Sequence, residues 1–135
     1  MELFGRRYDT GQPVRVETSG SRVARVEPLD SESLRDGRAD GWPWLAPGLL
    51  DIQVNGYGGQ EFSSADLTEE DVGSILRAFE AFGVTRVLPT VTTEGHEVLK
   101  HALRTIASVC EGSPQWSRRI PGIHLEGPFI TAEDG

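Results

Sequence analysis

From Gly48 onward the chain alternates between two kinds of hydrophobic spacing, and that alternation limits what it can fold into. Short apolar runs start near residues 49, 84 and 120, bounded by Gly or Pro. They are Leu49-Leu50-Asp51-Ile52-Gln53-Val54, then Val84-Thr85-Arg86-Val87-Leu88 closed by Pro89-Thr90, then Ile120-Pro121-Gly122-Ile123-His124-Leu125-Glu126, which ends abruptly at Gly127-Pro128. Proline has no N–H for a ladder and restricts the residue before it, so the second and third runs read as strands that stop there. Between the runs the spacing becomes helical. Val72, Ile75, Leu76, Phe79 and Phe82 follow Thr68, an N-cap with Asp71 three residues on, and Gly83 is the stop; Val98, Leu99, Ala102, Leu103, Ile106 and Val109 follow Thr92 or Thr93 as cap. Strand starts recurring about every 35 residues predict an α/β fold built of (β/α) units, in a parallel sheet or a barrel.

Residues 1–46 follow a different rule. Pro13-Val14-Arg15-Val16-Glu17 and Arg22-Val23-Ala24-Arg25-Val26-Glu27 alternate apolar and polar, with turn chemistry at Thr18-Ser19-Gly20-Ser21 between them, which predicts a hairpin. A polar segment from Asp30 to Gly41 is too charged for core, and Trp42-Pro43-Trp44-Leu45-Ala46 follows it. Two large rings beside a domain junction are expected to be packing, not a ligand platform. The domain reading is therefore 1–46 as part of a small β domain and 47–135 as a second, α/β region.

The charged groups narrow the function. A net charge of −8 over 135 residues opposes nucleic acid or an anionic membrane as partner, while leaving room for a local basic pocket. The one cysteine, Cys110, cannot staple the fold; it lies on an apolar helix face as a core filler, and the chain reads as cytoplasmic. Glu126 is the residue with most to explain, because a carboxylate at the carboxyl end of an apolar strand is where parallel α/β sheets keep their sites. The plain alternative is a loop cap or an Arg partner. Gln53 and Asn55, spaced by two, fall on one side of their strand, where buried amides would need partners. His124 stands two before Glu126. His96 and His101 are about 140° apart around a helix and cannot converge on one ion. The loop Gly56-Tyr57-Gly58-Gly59-Gln60-Glu61 fails as a phosphate loop, since Glu61 stands where G-x-G-x-x-G needs its third glycine.

Three motifs then carry a resemblance. Pro47-Gly48-Leu49-Leu50-Asp51-Ile52-Gln53-Val54-Asn55-Gly56 resembles the first-strand signature of the amidohydrolase superfamily, P-G-hydrophobic-hydrophobic-D-x-H-x-H-G, with both histidines replaced by Gln53 and Asn55. That replacement, together with Gly83-Val84-Thr85-Arg86-Val87-Leu88-Pro89-Thr90 and Gly122-Ile123-His124-Leu125-Glu126-Gly127-Pro128-Phe129, resembles the N-acetylglucosamine-6-phosphate deacetylases, over roughly the amino-terminal third of such an enzyme.

The resemblance implies the first three strands of a (β/α)8 TIM-type barrel, preceded by part of a small β-sandwich domain. It implies one divalent metal ion, Zn2+ ahead of Fe2+, with Glu126 as a ligand and two histidines further along as the others. The general base and the phosphate-binding groups also lie outside the sequence, some of the latter on the partner subunit of a homodimer, so no catalytic residue falls within this chain. Water on the ion would attack the acetamide of N-acetylglucosamine 6-phosphate, giving glucosamine 6-phosphate and acetate. Gln53, Asn55 and His124 are left as candidates to line the site or touch substrate. The rival readings are another amidohydrolase, such as an adenine deaminase, dihydroorotase or imidazolonepropionase, against which the missing histidine pair counts, and a non-catalytic fragment or module. The isolated 135 residues are expected to be inactive.

Overall fold

A computed structural model of the chain describes residues 1–30, 39–131 and 133. The chain divides into two compact units, Met1–Pro47 and Gly48–Gly135. Most of the polar segment expected from Asp30 to Gly41, namely 31–38, lies outside the described residues. Among the described residues no helix is long and apolar enough to cross a membrane.

The first unit is a four-stranded sheet in the order β3-β2-β1-β4, with β1 at Glu2–Arg7, β2 at Pro13–Ser19, β3 at Arg22–Pro28 and β4 at Trp44–Leu45. The expected hairpin is β2–β3, antiparallel with Val16 opposite Val26 and an irregularity at Glu17/Thr18. It is not alone. β1 extends it antiparallel and β4 joins β1 in parallel, so two strands that the alternation rule passed over supply the extra sheet a hairpin needs. The tryptophans pack within this unit: Trp42 meets Phe4 edge to face at 5.8 Å, and Trp44 lies under the Arg6 guanidinium at 4.2 Å.

The second unit is mixed α/β. Its parallel sheet runs β5-β8-β9, with β5 at Leu49–Val54, β8 at Val84–Val91 and β9 at His124–Leu125. Helices α1 (Glu69–Glu80), α2 (His96–Gly112) and a short α3 (Pro114–Arg119) fill the connections. The core beneath the sheet is Val54, Val87 and Val91 from the strands, Val72, Ile75 and Leu76 from α1, and Ala102, Ile106 and Val109 from α2, so the helical spacing named the inward faces correctly. Phe82 departs from that stripe. It lies past the end of α1, is exposed, and turns its ring edge toward Tyr57 at 6.0 Å. Cys110 packs against the core, and desolvation raises its thiol pKa, with the neighbouring Glu111 adding to the effect.

Capping decides where the helices begin. Thr68 and Asp71 form a reciprocal capping box on α1, and the Thr68 hydroxyl and N–H hold the Asp71 carboxyl below its usual range. A depressed pKa means the cap contributes at neutral pH and is lost only in acid, as the pH falls through the folded-state value. For α2 the expected cap is wrong. The helix starts after Gly95, because the Thr92 and Thr93 side chains are engaged elsewhere: Thr92 with the Ser63 hydroxyl at 2.9 Å, Thr93 with the Glu126 carbonyl at 3.1 Å. The loop at 55–59 also contains structure, since Gly56–Tyr57 (β6) pairs antiparallel with Gln60–Glu61 (β7).

The third strand is shorter than expected. Ile120 caps the end of α3 instead of opening a strand, and only His124–Leu125 pairs with β8. Leu125, expected in the core, is exposed. What holds this corner together is Arg119, only 9% exposed. Its guanidinium donates from Nη2 to the Leu76 carbonyl at 2.7 Å, from Nη1 to Glu80 at 2.5 Å and from Nε to the Thr85 carbonyl at 3.3 Å, and it stacks at 5.4 Å on Trp116. One side chain thus ties α3 to α1 and β8. Arg119→Ala in the full-length protein should cost about 2–3 kcal/mol, since it strands a buried carbonyl and removes charge-assisted bonds. An unfolding midpoint in urea unchanged from the parent would show that the tie is dispensable.

Candidate functional site

Three strand ends converge on the carboxyl side of the parallel sheet. β5 delivers Gln53 and, one residue past its end, Asn55; β8 delivers Thr90 and Val91; β9 delivers His124 and, just beyond it, Glu126. The backbone fixes Glu126 from two directions. Its N–H donates to the Val91 carbonyl at 2.9 Å, extending the ladder one step past β9, and its carbonyl accepts from the Thr93 hydroxyl at 3.1 Å. Gly127 then turns the chain at φ 91°, where a Cβ would lie 1.9 Å from the Thr93 hydroxyl oxygen. Only glycine fits both that φ and that approach, which is the physical content of the Glu-Gly-Pro sequence.

The side chains complete the picture in part. Gln53 Nε2 donates to Glu126 Oε2 at 3.0 Å across 73 residues of sequence. His124 is half-buried, with Nδ1 3.4 Å from the hydroxyl of the fully buried Thr90, the residue opposite it in the β8–β9 register. Asn55 is exposed, and among the described residues its amide makes no hydrogen bond to Gln53, His124 or Glu126. So Gln53 and Glu126 come together, His124 engages the neighbouring strand, and Asn55 stands apart. The two amides are not buried as expected: both are exposed, and Gln53 owes its placement to a charged partner and not to enclosure. Sequence reasoning missed Thr90 and Thr93, whose hydroxyls work on the site from β8 and the turn after it.

His96 is exposed, and His101 meets the Leu67 carbonyl through Nε2 at 2.9 Å. Among the described residues no group of three His, Cys, Asp or Glu is placed to hold a metal. A cavity of about 230 Å3 lies beside the β6–β7 hairpin, lined by Gly59, Gln60, Glu61, Ser64, Asp66, Leu67 and Asp71. Three carboxylates make it the wrong sign for a phosphate, and Asp71 is already committed to the α1 cap. The strand ends, not this cavity, are the candidate site.

Comparison with known proteins bears on the same residues. No family model matches the chain. N-acetylglucosamine-6-phosphate deacetylase of Homo sapiens is 40% identical over 121 residues, 84% of this chain and 28% of that protein. N-acetylgalactosamine-6-phosphate deacetylase of Shewanella is 37% identical over 87 residues, 64% of this chain and 21% of that protein. Among solved structures, N-acetylglucosamine-6-phosphate deacetylase of Thermotoga maritima superposes with a TM-score of 0.76 at 24% identity, covering 98% of this chain and 34% of that one, a likeness of fold. The D267A variant of the Mycobacterium smegmatis deacetylase, in complex with N-acetyl-D-glucosamine-6-phosphate, gives 0.64 at 29% identity, covering 88% and 29%. The chain spans about a third or less of the length of these relatives. In sequence and in fold it matches the amino-terminal portion of N-acetylglucosamine-6-phosphate deacetylases.

Proposed function

We propose that the protein to which these residues belong hydrolyses the acetamide of N-acetylglucosamine 6-phosphate, taking up water and releasing acetate and glucosamine 6-phosphate. The observation that carries this is the Glu126 carboxylate, held at the end of a parallel strand by its own backbone bonds and by Gln53, in a chain 40% identical over 121 residues to such a deacetylase. The sheet order β5-β8-β9, with each strand beside its successor and helices in the crossovers, supports its being the first three strands of an eightfold barrel. Glu126 is the residue that would hold a Zn2+ or Fe2+ ion, with its other ligands coming from outside these residues. Such an ion supplies acidified water and polarises the carbonyl. Gln53 and the Thr93–Gly127 turn keep the Glu126 carboxylate aimed, and His124 and Asn55 border the space where the sugar would lie. A homodimer and a cytoplasmic setting belong to the same reading, supported by the resemblance and by the single thiol of Cys110.

The test is acetate release by the full-length protein from N-acetylglucosamine 6-phosphate, after chelation and after Zn2+ is restored. Turnover that disappears and returns with the metal is expected. Metal-independent turnover, or a higher kcat/KM on N-acetylgalactosamine 6-phosphate, would overturn the reaction or the substrate as stated, the latter being the activity named for the Shewanella relative.

A further inference from the structure

We infer that Gln53 is a positioning residue for the Glu126 carboxylate, setting which of its oxygens is left to meet a divalent cation. The inference rests on the metal role given to Glu126 above and adds to it. β5 and β9 are not neighbours; β8 lies between them, so the two backbones are two strand spacings apart, about 9.5 Å. Only two long side chains reaching toward each other can close that gap, and the 3.0 Å bond from Gln53 Nε2 to Glu126 Oε2 shows them doing so. A carboxylate oxygen only accepts, so the NH2 end of the amide must face it and the amide oxygen must face away.

Two consequences follow for an incoming ion. One lone pair of Oε2 is taken by a hydrogen bond, which makes Oε1 the less encumbered oxygen, and the carboxylate loses rotational freedom before the ion arrives. The donor is also neutral. An Arg or Lys at position 53 would orient Glu126 equally well but would cancel the charge that attracts the cation, whereas an amide orients it and leaves the charge intact. Gln53 therefore orients the Glu126 carboxylate through hydrogen bonding without itself being a ligand.

The experiment uses the full-length protein. The Zn2+ dissociation constant is measured by competition with a chromophoric chelator for the parent, Gln53→Ala and Gln53→Asn, alongside the thermal midpoint of each metal-free protein and the visible spectrum of each Co2+-loaded one. The expected result is affinity weakened about ten- to hundredfold in both variants, Asn being one methylene too short to span the gap, as for other partners of metal ligands. The metal-free midpoints should stay together, and the Co2+ band positions and intensities should remain those of the parent at saturation, because no ligand has been lost. Affinity within about twofold of the parent would overturn the inference while leaving the metal role of Glu126 standing. A Co2+ spectrum of changed intensity in Gln53→Ala would overturn it differently, by making Gln53 a ligand. A parent protein that takes up no ion would overturn this inference and the proposed function together.

Discussion

Replacing Glu126 by Gln in the full-length protein should empty the metal site, from about one ion per subunit in the parent to under about a tenth, and should remove deacetylation with it. The substitution is close to isosteric. The amide oxygen it introduces can still accept from Gln53 Nε2, and the backbone bonds to Val91 and Thr93 do not involve the side chain at position 126 at all, so the turn at Gly127 should survive. What changes is charge: a hard divalent ion loses an anionic ligand and is offered a neutral amide. Metal-assisted hydrolysis owes several kcal/mol to the ion, so kcat/KM should fall on the order of a thousandfold or more. Elemental analysis after gel filtration is the direct measurement. Undiminished occupancy in the variant would remove Glu126 from the site, and about two tightly held ions in the parent would contradict a mononuclear centre.

The parts of this fold that were legible in the sequence are those decided locally. β5 needed only a six-residue run, four of them apolar, between Pro-Gly and a glycine-rich loop, and α1 announced itself through Thr68, Asp71 and a stripe that packs inward except at Phe82. Two of the misreadings share one cause, a residue whose local preference lost to a distant partner. Thr92 and Thr93 are good helix caps by type, yet one is held by Ser63 and the other by the Glu126 carbonyl, so Gly95 starts the helix. Ile120 looks like the first residue of a strand, yet Arg119 beside it is drawn onto Leu76, Thr85 and Glu80, and the chain completes a helical turn there instead.

The site divides in the same way. Glu126 could be singled out because a carboxylate at the end of an apolar strand is unusual on its own. Its partner could not, because pairing Gln53 with Glu126 requires knowing that β5 and β9 flank β8 on one sheet, and no local spacing encodes that order. The same-side argument for Gln53 and Asn55 was a statement about one strand. Only the first of the two points at a residue two strands away.

Residues 1–135 expressed by themselves should associate and release no acetate. The sheet of the second unit ends in an unpaired strand on each side, β5 and β9, and both edges are apolar: Leu49, Leu50 and Ile52 on one, the last 65% exposed, and Leu125, Phe129 and Ile130 by the other, with Phe129 99% exposed. Exposed strand edges carrying large apolar side chains are templates for another copy. The first unit carries an edge of the same kind at β3, where Val23 is 63% and Val26 50% exposed, although β1 and β4 enlarge what would otherwise be a bare hairpin. The catalytic expectation is separate, since no three potential ligands come together among the described residues and a metal centre needs at least three. Sedimentation of the purified 135-residue polypeptide, thermal unfolding, and acetate release with added Zn2+ read the two expectations independently. A monodisperse monomer with a cooperative melt would show that the edges are tolerable, and turnover that requires Zn2+ and vanishes in Glu126→Gln would show that these residues build a working site by themselves.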